Sequence, residues 1–139
     1  MKIVYVYDSI ARIGGMERIL TDKMNYLVEI YGHEVYLITS SQGNHPFSFP
    51  LSHKVEHIDL DTKFHLQYQH PLLEQLRVGW TLNHKFEQKL KKEIKLINPD
   101  IISGNTSFKA DLICKLDCKA KKIIESHCAK TVSYTHLTL

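Results

Sequence analysis

The sequence predicts a doubly wound α/β domain with a parallel sheet, and three observations carry that expectation. Short β-branched and aromatic runs ("KIVYVY", "HEVYLITS", "KVEHIDL", "DIIS", "KKIIES") recur along the 139 residues, separated by segments of helical periodicity. Stop signals, Gly32 and Pro99, stand between a helical segment and the next strand-like run. The first run is followed at once by paired glycines, Gly14 and Gly15, leading into a helix. Strands that alternate with helices pair in parallel through right-handed crossovers and carry helices on both faces of the sheet.

Each element has its own justification. "KIVYVY" is short, β-branched and aromatic, the composition of a buried strand. After the glycines, Met16, Ile19, Leu20, Met24, Leu27, Val28 and Tyr31 recur at helical spacing and predict one apolar stripe. Gly32 ends that helix. "HEVYLITS" is the second strand and "KVEHIDL" the third, with the Gly-, Pro- and Ser-rich "SQGNHPFSFPLS" as the loop between them. A long helix is expected from about Leu72 to Asn98, with Leu76, Trp80, Phe86, Leu90, Ile94 and Ile97 turned inward. "DIIS" is the fourth strand, a short helix runs from Phe108 to about Asp117, and "KKIIES" is the fifth strand.

Composition narrows the function classes. With 43% hydrophobic and 24% charged residues the chain reads as an ordinary soluble globular domain. A net charge of +3 is too mild to point to nucleic acid. No apolar run approaches the ~20 residues that span a bilayer, and no signal-peptide pattern opens the chain. Three cysteines, an odd count, fit a reducing cytoplasm.

In open parallel sheets ligands bind beyond the carboxyl ends of the strands. Those ends carry "DSIARIGG", "SSQGN", "SGNTS" and "SHC". A glycine turn there allows positive φ or close backbone approach, and aims helix N–H groups at an anion such as a phosphate. A dinucleotide site is excluded: the turn lacks G-x-G-x-x-G, and the second strand ends in Thr39-Ser40 rather than an acid. No P-loop motif occurs. A phospho-receiver domain would use acids such as Asp8, Asp59 and Asp61, but needs a lysine where the fifth strand ends in "ESH".

The strand–"GGMER"–helix unit, "YGHEVYLIT" and "INPDIISGN", followed by "KKIIESH", together resemble the N-terminal domain of family 4 glycosyltransferases over residues 1–131. The resemblance implies a Rossmann-like sheet forming one half of a GT-B fold. It implies a retaining enzyme that moves a glycosyl group from a nucleotide-diphosphate sugar to a glycan, a lipid-linked or a small-molecule acceptor, with no cofactor and no metal. It sets Gly14 and Gly15 beside the donor's phosphates and sugar, and His127 at the reaction centre. Arg12 and Asn105 become candidates on the acceptor side. The partner this arrangement requires is a C-terminal, donor-binding domain. Residues 132–139, "VSYTHLTL", lack periodicity and read as a non-native or truncated tail. A non-catalytic Rossmann-like binding module is the competing reading.

The remaining candidates have ordinary explanations. Glu17 complements the first helix's positive end, and Arg18 reads as structural. Cys114 and Cys118, spaced i, i+4 on the short helix, with Cys128 beside His127, read as packing thiols rather than a zinc set. Lys85, Lys89, Lys92 and Lys95, interrupted by Glu87 and Glu93, form a basic helix side. Its default is solvation, and its alternative is a peripheral contact with anionic lipid. The scattered histidines (His45, His53, His57, His65, His70 and His84) receive no role. The expected location is cytoplasmic, free or at the inner face of a membrane.

Overall fold

The computed structural model describes residues 1–8, 15–42, 46–62, 69–105 and 109–125. Along the chain run β1 (Lys2–Tyr7), α1 (Gly15–Glu29), β2 (Glu34–Thr39), β3 (Glu56–Asp59), α2 (Leu72–Ile97), β4 (Ile101–Asn105), α3 (Ala110–Cys114) and β5 (Lys121–Glu125). The five strands are all parallel, in the order β3-β2-β1-β4-β5. The chain therefore winds outward from β1 in one direction and from β4 in the other. The cleft between β1 and β4 is the point where ligands of such sheets bind.

Strand alternation divides the interior into two layers, because successive side chains point to opposite faces. Val4, Val6, Ile38 and Ile102 pack with Phe86, Leu90 and Ile94 of α2 and Ile113 of α3. Ile3, Tyr5, Val35 and Leu37 pack on the other face with Leu20, Met24 and Val28 of α1. Full burial of a side chain such as Leu90 stabilises the fold by roughly 1.5–3 kcal/mol. The α1 stripe is narrower than its spacing predicts: Ile19 and Tyr31 are exposed. Gly32 does occupy the left-handed region, at φ +68°, where a glycine carries no Cβ penalty.

At the end of α2, Asn98 takes a left-handed conformation, and its N–H donates to Ile94 O at 2.8 Å. Pro99 then prevents continuation. The N–H of Asp100 donates to Lys2 O and its carboxylate accepts from the N–H of Lys2, both at 2.8 Å. These bonds seat β4 beside β1.

Two expectations are corrected here. Leu76 and Trp80 do not face the core but are exposed; among the described residues the buried side chains of α2 are Phe86, Leu90, Ile94 and Ile97, all in its second half. Helix α3 stops at Cys114, so Cys118 lies in the loop before β5 rather than one turn along a helix. Cys118 is half-buried against the α2 core layer, whereas Cys114 is exposed and is no packing residue. Phe108, expected to begin this helix, lies outside the described residues.

Gly104 in β4 is a packing requirement that sequence inspection overlooks. A Cβ placed on it would lie 2.5 Å from Cδ1 of Ile113, itself fully buried. Relief would need the Ile113 side chain to swing aside within the buried layer. Gly104→Ala is expected to lower stability by about 1–3 kcal/mol. The check is the urea midpoint at unchanged slope; a wild-type midpoint would mean that Ile113 makes room without cost.

Candidate functional site

Polar burial marks one edge of the sheet. Among the described residues the buried polar side chains are Thr21, Thr39, Ser40, Gln42, Thr62, Ser103 and Asn105. All but Thr21 lie on the upper part of β4 or at the carboxyl ends of β2 and β3. Burying a hydroxyl or amide is unfavourable unless it is hydrogen-bonded, so this edge is built around an ordered polar network.

Asp8 follows β1 directly. Its Oδ1 accepts from the hydroxyl of Ser40 and from that of Ser41 at 2.9 Å, and its backbone oxygen accepts from both serine N–H groups. The serines ending β2 thereby clamp the carboxylate at the head of β1. Beside it, Asp59 Oδ1 accepts from Thr39 Oγ1 at 2.9 Å and from the N–H of Gln42 at 3.1 Å. Thr39 has one hydroxyl proton, and Asp59 takes it. The 2.8 Å contact between Thr39 Oγ1 and His57 Nε2 is therefore donated by the imidazole. Burial holds the His57 pKa below the ordinary histidine value, against a smaller opposing pull from Asp59. Phe47 meets the imidazole ring edge-on at 5.1 Å.

On the α1 side a small hollow opens between α1 and strands β1 and β4. Tyr7, Met16, Ser103, Gly104, Asn105 and Glu125 line it. The Tyr7 hydroxyl donates to Met16 Sδ at 2.6 Å, tying the first turn of α1 to the end of β1. Glu125, the last residue of β5, accepts from Lys23 Nζ at 2.7 Å and from Ser103 Oγ at 3.3 Å. Burial, helped by the Glu125 charge, pushes the Tyr5 phenol up to about 12. The enclosed volume is only ≈ 10 Å³, about one water. A sugar could lie across this edge but not within it. A larger hollow of ≈ 520 Å³ lies at the opposite, amino edge, between the end of α2 and the loop before β5. It adjoins none of the buried polar network.

Lys109 stands at the head of α3 in a left-handed conformation, φ 52° and ψ 32°. Non-glycine residues seldom adopt that conformation, and it gathers at functional sites. Burial draws the Lys109 ammonium below the usual lysine pKa, and the Asp8 charge draws it the other way.

Of the residues expected from sequence, two are described. Asn105 ends β4, is buried, and lines the hollow. Gly15 is the first residue of α1 and exposed, outside the left-handed region, and a Cβ there would meet nothing within 4 Å. Neither its backbone nor its neighbours among the described residues call for glycine. Arg12, Gly14 and His127 lie outside the described residues, as do Cys128 and residues 132–139. Sequence reasoning gave no binding role to Ser41, Lys109 or Glu125, although each lies within two residues of a strand or helix end on this edge. Among the described residues no three His, Cys, Asp or Glu side chains are placed to hold a metal ion, and no helix is long and apolar enough to cross a membrane.

No protein-family model matches the chain, and no curated protein matches it by sequence. Among solved structures it is similar to the apo form of a lipopolysaccharide outer core galactosyltransferase, WaaB, with a TM-score of 0.62 at 11% identity. The match takes in 98% of this chain and 36% of that one, so the chain spans about a third of its neighbour's length. At that identity the likeness establishes the fold: a five-stranded parallel α/β unit matching the Rossmann-like half of a GT-B glycosyltransferase.

Proposed function

We propose that the chain is the acceptor-side half of a glycosyltransferase. The reaction moves a glycosyl group from a nucleotide-diphosphate sugar to a glycan, lipid-linked or small-molecule acceptor, with retention at the anomeric carbon. The observation that carries this reading is the match of nearly the whole chain to a third of a galactosyltransferase. The polar carboxyl edge supports it, since its hollow is too small to enclose a sugar and needs a second wall. A donor-binding domain would supply that wall. Gly14 and Gly15 then admit the diphosphate to the backbone, where N–H groups at the start of α1 stabilise the leaving charge. His127 orients the transferred sugar, and Arg12 and Asn105 meet the acceptor. No cofactor or metal is required.

The test compares the 139-residue chain with the protein extended by its donor domain, using UDP-glucose, UDP-galactose and GDP-mannose as donors. The extended protein is expected to turn over one of them, and the chain alone none. Turnover by the chain alone would overturn the two-domain reading. Tight binding of a sugar nucleotide by the chain, with no turnover by the extended protein, would make it a non-catalytic binding module.

A further inference from the structure

The hollow of ≈ 520 Å³ at the amino edge lies between the end of α2 and the loop that leads from α3 into β5. Its walls are fixed by the backbone. Asn98, left-handed at φ 52°, ends α2 and turns the chain into Pro99, which is buried. The loop opposite is pinned at both ends: Leu116 N–H donates to Ile113 O at 3.2 Å, and Lys121 N–H donates to Asp100 O at 3.0 Å. Small-molecule sites are mostly pre-formed in this way, with volumes of roughly 300–1,000 Å³.

The floor of the hollow is apolar, lined by the buried Ile94, Pro99, Leu116 and Ala120. Its rim is charged: Lys91, Lys95 and Lys119 stand exposed around it, against one carboxylate, Asp117. An apolar pocket with a few polar groups at its mouth is the common build of a ligand site.

Charge selects the occupant. Lysines often gather at helix C-termini to answer unpaired carbonyls, and α2 ends at this hollow, with α3 ending just before it. Here other donors take those carbonyls. Asn98 N–H and Lys2 Nζ donate to Ile94 O and Ile97 O, and the N–H groups of Lys115 and Leu116 donate to Asp111 O and Ile113 O. Lys91 is held by Glu87 at 3.0 Å. The ammonium groups of Lys95 and Lys119 make no hydrogen bond or ion pair among the described residues. Two ammonium groups beside an apolar floor suit a ligand that supplies an oxyanion to the first and covers the second. We propose that the amino-edge hollow binds a small molecule with an apolar body and an oxyanion head such as a phosphate. The body covers Ile94, Leu116 and Ala120, and the head meets Lys95 and Lys119. This hollow adjoins none of the polar network at the carboxyl edge, so the inference holds whether or not the chain belongs to a glycosyltransferase.

The experiment titrates the whole 139-residue chain with naphthyl phosphate, a flat apolar body carrying a phosphate, and follows the backbone amide NMR shifts. Naphthol supplies the body alone and inorganic phosphate the head alone. Naphthyl phosphate is expected to saturate with a dissociation constant below about 1 mM, the scale for a ligand of roughly 15 heavy atoms. The amides that shift should be those of residues 94–98 and 116–120. Naphthol and inorganic phosphate should each bind about tenfold more weakly or worse. Lys95→Glu with Lys119→Glu should weaken naphthyl phosphate about tenfold or more, and the glutamine pair less, since it removes attraction without adding repulsion. Both lysines are exposed, so the unfolding midpoint should match wild type in both variants. No saturable shift at these amides would overturn the proposal. So would naphthol binding as well as naphthyl phosphate, undiminished binding by the glutamate pair, or shifts confined to the exposed Leu72, Leu76 and Trp80.

Discussion

Replacing His127 by alanine in the donor-domain-extended protein is expected to lower kcat about 10²-fold or more, the scale for losing a positioned proton donor or oriented hydrogen bond. Folding stability should stay close to wild type. His127 comes two residues after Glu125, which ends β5 at the edge where parallel sheets bind ligands. An imidazole there can donate to a sugar hydroxyl or to developing charge, and changes protonation near neutral pH. Its proposed role is to orient the sugar and stabilise the transition state rather than to attack. The measurement is steady-state kinetics beside thermal unfolding. A kcat within a few-fold of wild type would remove His127 from the chemistry.

Gly15→Val in the same protein should cost activity far more than stability, by about 10²-fold if the side chain displaces the donor by an ångström or so. The described structure sharpens this expectation. Gly15 has no left-handed backbone to maintain, and an added Cβ would meet nothing within 4 Å. A plain turn would tolerate alanine at this helix start and gain from it, because the unfolded chain loses freedom. Alanine should therefore leave the unfolding midpoint unchanged or raised, and valine should separate the two readings. Parallel losses of activity and stability in Gly15→Val would return the glycine to a turn-forming role.

Stability and function part company along this edge. Gly104 is glycine because Ile113 occupies the space its Cβ would need, which is an internal requirement. Gly15 faces open space, so its reason must lie outside the described residues if it has one. Two glycines of one sheet edge thus call for opposite experiments, and composition alone cannot distinguish them.

The local signals decided the parallel α/β class and the existence of each element. Short β-branched and aromatic runs alternate with period-3.6 helices, and Gly32 and Asn98-Pro99 stop the helices for reasons internal to a few residues. They also located the edge at which to look, since strand direction follows from the alternation itself. Only the tertiary structure decided what each periodic position meets. Leu76 and Trp80 obey the same spacing as Leu90 and Ile94, yet one pair meets solvent and the other the core. Helical periodicity records which face a residue occupies, whereas burial depends on what packs against that face. The same holds for the polar clamp of Asp8 by Ser40 and Ser41 and for the Asp59–Thr39–His57 chain. The bonded members lie 18 to 33 residues apart, and the pairing of β2 with β1 and β3 is what brings them within hydrogen-bonding distance.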